Sequence, residues 1–178
     1  VGFLKEQEAL NMSETNIPQG KQTVLGLYVT AKEAYEQWKA APDKVKIVDV
    51  RTPEEYLFVG HPDMAWKIPV AVQSYEWDAA KGQFPMAPLM DFASRVSGIA
   101  KPDDTLMLMC RSGGRSAIAC NFLAKAGFKN VYNIIDGMEG DANGDSAKVA
   151  QGPLSGWKNS GCPWTKNLTL DKMVLSKS

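Results

Sequence analysis

The sequence predicts an α/β fold, a mostly parallel central sheet with helices on both faces. Two observations predict it. Short β-branched or apolar runs alternate along the chain with stretches whose apolar residues recur at helical spacing, and parallel strands joined by crossover helices satisfy that alternation most economically. The two best strand candidates, residues 45–50 and 105–109, are rich in Val, Ile, Leu and Met. That composition is the mark of strands covered by packing.

Each element has its own signal. Residues 3–10 are expected to form a short helix, and Asn16-Ile17-Pro18-Gln19-Gly20 is turn chemistry. Residues 24–29 are a candidate strand. Thr30 with Glu33 makes a capping box, Ala34, Tyr35 and Trp38 supply the buried side of the helix it opens, and Pro42 ends that helix. After strand 45–50, Thr52-Pro53-Glu54-Glu55 starts the next helix, with Thr at the cap and Pro at the first helical position. Residues 66–70 read as a short strand and 71–88 as a long irregular connection of the kind that borders a site. Leu89, Phe92, Ala93 and Val96 mark a helix that stops at Gly98. Residues 105–109 form the strand before Cys110. Residues 116–126 follow as a helix whose apolar stripe is Ala119, Phe122, Leu123 and Ala126, stopped by Gly127. Residues 130–135 are the last strand.

The chain of 178 residues is long enough for one well-cored domain and too short for two of ordinary size. The expected organisation is an N-terminal extension over 1–22, a domain over 23–165 with an insertion at about 141–155, and a C-terminal tail over 166–178. A hydrophobic content of 44% with 22% charged residues is ordinary for a soluble globular protein, and no apolar run approaches the roughly 20 residues of a membrane helix. Twenty basic and twenty acidic side chains cancel, so no global field argues for nucleic acid or a membrane surface as partner. The chain starts at Val1 without Met. That suggests a processed or trimmed form, periplasmic or exported, with cytoplasmic as the other reading.

The chemistry is expected in one stretch, Cys110-Arg111-Ser112-Gly113-Gly114-Arg115-Ser116. A buried strand delivers Cys110 just before a helix N-terminus, where unpaired N–H groups and the helix dipole favour negative charge. Arg111 and Arg115 are expected to add two positive charges, and a free cysteine of pKa roughly 8.5 is lowered by such surroundings, so Cys110 is expected to act as a thiolate nucleophile. Gly113 and Gly114 allow the loop to curl its N–H groups inward as a nest for an anion or a charged sulfur. Arg111, Ser112, Gly113, Gly114, Arg115 and Ser116 are therefore the expected substrate-binding residues. Cys120 and Cys162 lack basic neighbours of this kind and read as small apolar filler. No Cys or His spacing suggests a metal, and no cofactor is expected. Asp141-x-Asn143-x-Asp145 mimics the start of a calcium loop, but Ser146 and Gly152 stand where glycine and a bidentate glutamate are needed.

The seven-residue loop resembles the active-site loop of a single-domain rhodanese of the thiosulfate sulfurtransferase-like family. Two further stretches carry the resemblance. Asp49-Val50-Arg51-Thr52-Pro53-Glu54-Glu55-Tyr56 is similar to the N-terminal family signature, and Asp136-Gly137-Met138-Glu139-Gly140 with Gly156-Trp157 and Gly161-Cys162-Pro163 is similar to the C-terminal one, interrupted by the insertion. The resemblance spans roughly residues 23–165. It implies a rhodanese-like fold and a sulfurtransferase that takes sulfane sulfur from a donor such as thiosulfate onto Cys110 as a persulfide. Cyanide, a small thiol or a thiol protein would then accept it. A non-enzymatic persulfide carrier or protein-binding module is the alternative implication. Four residues separate Cys110 from Arg115, one fewer than in cysteine phosphatases, which disfavours phosphatase or arsenate reductase chemistry. Asp49 is expected to orient a loop arginine or loop N–H groups, or else to cap its own strand end. His61, in a turn similar to the family's, is expected to be structural.

Overall fold

A computed structural model of the chain describes residues 17–141 and 156–177. Both capping boxes form. Thr30 accepts the Glu33 N–H at 3.2 Å while Glu33 accepts the Thr30 N–H at 2.7 Å, opening α1 (Ala31–Ala40). Thr52 and Glu55 make the same reciprocal pair at the start of α2 (Pro53–Phe58), with Pro53 in the first turn. The other helices are α3 (Phe92–Ser97) and α4 (Gly114–Lys125).

The strands are β1 (Tyr28–Val29), β2 (Val45–Asp49), β3 (Trp66–Lys67), β4 (Ala71–Gln73), β5 (Met86–Pro88), β6 (Thr105–Met109) and β7 (Asn130–Ile134). Five of them form one sheet in the order β1-β7-β6-β2-β3, with every pairing parallel. The expected parallel α/β architecture is therefore what the chain adopts. In register, Ile47 lies beside Met107 and Asp49 beside Met109.

Because successive strand residues face opposite ways, β2 and β6 feed two cores. Val48, Val50, Leu106, Leu108 and Cys110 pack with Phe92 and Val96 of α3 and with Ala119, Cys120 and Leu123 of α4. Val45, Ile47, Met107 and Met109 pack with Ala31 and Ala34 of α1, with Trp157 and with Cys162. The helices thus cover both faces, and Cys110 leaves the sheet on the side of α3 and α4.

Several elements differ from the sequence expectation. The strand expected over 24–29 is confined to Tyr28–Val29, because Gly26 takes φ +63° in a turn closed by its N–H on Thr23 O. The strand expected over 66–70 ends at Lys67. The backbone still bonds β2 through Ile68 and Val70, whose N–H groups reach Asp49 O and Val50 O, but Pro69 between them has no N–H to give. The connection over 71–88 is not irregular. Its ends pair antiparallel as β4 and β5, and near the tip Trp77 meets Phe84 edge to face at 5.1 Å. The last helix starts at Gly114, not Ser116. Its buried face is Ser116, Ala117, Ala119, Cys120 and Leu123, whereas Phe122, expected in the buried stripe, is 40% exposed at a groove between α4 and the hairpin.

The tail lies along β3. Lys67 N–H donates to Lys172 O and Val174 N–H returns to Lys67 O, while Arg95 donates to Val174 O. The helix expected over 3–10 and the calcium-loop mimic from residue 142 onward lie outside the described residues. No helix among the described residues is long and apolar enough to cross a membrane.

Candidate active site

Cys110 follows β6 directly and is 1% exposed. Its Sγ accepts the Gly113 N–H at 3.1 Å and lies 3.3 Å from Ser116 Oγ. Gly113 can present that N–H because it sits at φ +106°, where a Cβ would come 2.6 Å from Ile135 O. The requirement for glycine is thus conformational and steric at once. Helix α4 begins at the next residue, so the sulfur faces a helix N-terminus.

The loop is held from behind by a segment the sequence marks only as a signature. Met138 N–H donates to Cys110 O and Glu139 N–H to Arg111 O, both at 2.9 Å. Gly137 makes this approach possible, since a Cβ there would lie 2.5 Å from the Arg111 carbonyl. Asp136 anchors the turn by accepting Ala31 N–H at 2.7 Å and Gly156 N–H at 3.0 Å, and burial pushes its carboxyl above the usual range.

Two residues that sequence reasoning passed over complete the support. Asn133 of β7 is fully buried; its Nδ2 donates to Lys21 O and Gly113 O, and its Oδ1 accepts from Ser116 Oγ at 2.6 Å. Those two carbonyls fix which end of the amide faces Ser116. Lys21, in the expected extension, is buried with its Nζ 2.8 Å from Ile135 O and 2.6 Å from Asp141. An asparagine set between Tyr132 and Ile134 inside a strand was the available signal for Asn133. Lys21 carried none.

The two loop arginines, both expected to add positive charge, are not equivalent. Arg115 makes a bidentate pair with Glu55, at 2.6 and 2.8 Å, with both side chains about four-fifths buried. Burial works against the charge on Glu55, but the hydrogen bonds and charge of Arg115 outweigh it and hold the carboxyl below its usual range. Arg111 is exposed and has no ion pair among the described residues. Ser112 and Gly114 are partly buried on the same loop.

Asp49 does not reach the loop. It is fully buried and holds Arg51 through contacts of 2.9 and 2.7 Å, and Arg51 in turn donates to Gly60 O at 2.8 Å. His61 is buried with its ring nitrogens 3.2 Å from Pro62 O and Asn167 O, and burial together with Lys67 lowers its pKa. It therefore staples the tail, as a structural residue would. Burial pushes the Cys120 thiol far above its ordinary value and the Cys162 thiol up to about 11.

The model of the rhodanese-like domain matches residues 30–143. This chain belongs to the rhodanese-like domain family. An uncharacterized protein of Rickettsia prowazekii is 38% identical over 118 residues, covering 66% of this chain and 80% of that one. Thiosulfate sulfurtransferase 16 of Arabidopsis thaliana, a chloroplastic protein, is 37% identical over 92 residues, 52% of this chain and 69% of its own length. Among solved structures, the Rv0390 protein of M. tuberculosis superposes with a TM-score of 0.57 at 26% identity, covering 78% of this rhodanese-like chain and 96% of that one.

Proposed function

We propose that this rhodanese-like chain is a sulfurtransferase that carries sulfane sulfur as a persulfide on Cys110. The observation that supports the reading best is the sulfur's setting. Sγ meets the Gly113 N–H at the start of α4, a place that favours an anionic sulfur before and after transfer. Cys120 and Cys162 have no such setting, and burial holds both as thiols.

With thiosulfate as donor, the Cys110 thiolate attacks the outer sulfur. A sulfur–sulfur bond forms to Sγ, the donor's own sulfur–sulfur bond breaks, and sulfite leaves with the electron pair. An acceptor nucleophile, cyanide or a thiol, then attacks the outer persulfide sulfur and returns the thiolate in a ping-pong cycle. Gly113 and Ser116 touch the sulfur, and they with Arg111, Ser112, Gly114 and Arg115 of the same loop would bind the donor. The short loop suits one added sulfur better than a phosphoryl group.

Intact mass spectrometry after thiosulfate treatment tests this. The expected result is a gain of one sulfur atom on Cys110, discharged by cyanide as thiocyanate and absent from Cys110→Ser. Sulfur found on Cys120 or Cys162, or no adduct with any sulfane donor, would refute it.

A further inference from the structure

Three buried side chains form a chain of contacts behind the sulfur. Cys110 Sγ lies 3.3 Å from Ser116 Oγ, and Ser116 Oγ lies 2.6 Å from Asn133 Oδ1. Ser116 and Asn133 are fully buried and Cys110 nearly so. A hydroxyl has one proton to give and an amide oxygen has none. Two oxygens this close need a proton between them, and only Ser116 can supply it. Asn133 cannot turn its amino end to Ser116 instead. Both Nδ2 hydrogens are engaged, on Lys21 O at 2.9 Å and on Gly113 O at 3.0 Å, and a turned amide would set its oxygen against those two carbonyls. Ser116 therefore gives its proton to Asn133 and shows Cys110 a lone pair.

A lone pair suits a thiol, whose S–H can point at it, and does not suit a thiolate. If the bare thiolate draws the Ser116 proton to itself, the Asn133 oxygen is left buried without a partner, at a cost comparable with the hydrogen bond gained. We propose that Asn133 is a positioning residue which, by holding the Ser116 proton, makes Ser116 an acceptor for the Cys110 S–H and restrains the resting nucleophile. The proposal rests on the Cys110 persulfide reading. In the loaded state the charge sits on the outer sulfur, while Sγ is bonded to carbon and sulfur and needs no proton from Ser116. The chain of contacts thus fits the thiol and the persulfide, and it works against the Gly113 N–H and the helix terminus only in the bare thiolate.

Other groups also act on Cys110. They are Arg111 beside it, Arg115 of α4 with its partner Glu55 of α2, Cys120 of α4, and Lys21, which reaches the loop at Gly113 and is paired with Asp141. On the adjoining strand Asp49 is taken up by Arg51, and behind the loop Asp136 is taken up by the Ala31 and Gly156 N–H groups. Substitutions at Ser116 and Asn133 leave all of these charges in place.

The test is the pH profile of Cys110 alkylation by iodoacetamide, a neutral reagent, followed by mass spectrometry. At neutral pH, Asn133→Ala is expected to react about tenfold faster than the native protein, because Ser116 is freed to donate to the thiolate. Ser116→Ala is expected to react about threefold faster, because the thiol has lost its acceptor. The rates converge at alkaline pH, where Cys110 is ionised in every variant. Adding Ser116→Ala to Asn133→Ala should slow the reaction, so one substitution changes sign with the other, which a merely loosened loop would not produce. Melting curves check that the variants fold. A second measurement needs no change at Asn133: the infrared S–H stretching band that disappears in Cys110→Ser should move to higher frequency in Ser116→Ala. Slower or equal alkylation of Ser116→Ala at neutral pH, or a band that does not move, would overturn the proposal. Absence of any persulfide with every donor would refute the Cys110 reading instead, while alkylation and the infrared band would still report where the Ser116 proton lies.

Discussion

Replacing Glu55 with glutamine should raise the affinity of the loop for anionic donors, and the size of the effect follows from the geometry. Glutamine removes a full negative charge yet leaves an oxygen for the Thr52 N–H, so the cap of α2 survives. Glu55 lies 2.6 and 2.8 Å behind the Arg115 guanidinium. An anion on the other side of that guanidinium is about 7 Å from the carboxylate, where each unit of charge feels roughly 2 kcal/mol of repulsion at an effective dielectric near 20. Salt at physiological strength, with a Debye length of about 8 Å, cuts this to about 1 kcal/mol per charge. A dianion such as thiosulfate then gains about 2 kcal/mol and a monoanion about 1 kcal/mol, corresponding to KM falls of roughly 30-fold and 5-fold. Initial rates with thiosulfate and methanethiosulfonate at two ionic strengths measure both, and the gain should shrink as salt rises. A thiosulfate KM that is unchanged or higher would show that Glu55 presents Arg115 to the anion instead of neutralising it. The same pair has a pH signature. A carboxyl whose folded pKa is depressed adds stability that is fully present above its ordinary value of 4.5 and lost as pH falls through the lowered folded value. Denaturation midpoints measured across that acid range should therefore fall more steeply for the native protein than for Glu55→Gln.

Other outcomes follow from the same geometry. Cys110→Ser should abolish sulfur transfer, whereas Cys120→Ser and Cys162→Ser should keep most of it; a thiocyanate assay reads all three. Cys120→Ser should still lower the melting temperature, because it buries a hydroxyl in an apolar cluster at a cost of about 1–3 kcal/mol. Gly113→Ala should cost about 2 kcal/mol or more through its positive φ and the approach to Ile135 O, and should impair transfer because the N–H on Sγ moves with it. Denaturant titration and the thiocyanate assay measure the two effects. Asp136→Asn should destabilise by about 1–3 kcal/mol, since its new NH₂ must face either the Ala31 or the Gly156 N–H. Full stability of that variant by urea titration would contradict the anchoring role of the turn.

Much of the fold was legible where a local rule governs the chain. Thr30 with Glu33 and Thr52 with Glu55 are three residues apart, so each box can be read from four letters. The apolar run 105–109 announces a buried strand in the same way. The gathering of Gly113 and Ser116 around the Cys110 sulfur was legible because the three lie within seven residues of one another. What escaped depends on residues brought together from far apart. Glu55 reads as a cap residue, and nothing in its neighbourhood shows that Arg115, 60 residues later, will take the rest of its carboxylate. Asn133 reads as one polar letter in a strand, although it touches Ser116, Gly113 and Lys21. The pairing of β4 with β5 and of the tail with Lys67 is made by main-chain bonds, which nearly every residue but proline permits and which leave little trace in the letters. Phe122 fits the helical stripe by spacing, but spacing alone does not say where the covered face ends.

The tail against β3 has a consequence for how the molecule behaves in company. A parallel sheet ends in a strand whose outer N–H and C=O groups invite another chain, and the strength of the invitation grows with the length and flatness of that edge. Here one border is a strand of only two residues, Tyr28 and Val29. The other is occupied by another segment of the same chain, which fills the Lys67 N–H and C=O through Lys172 and Val174. Removing residues 166–178 would uncover a sticky border beside Trp66, and the shortened protein should aggregate on concentration although its Cys110 loop is untouched. The segment through Lys172 and Val174 thus acts as a selvedge that keeps the sheet from being sewn to its neighbours.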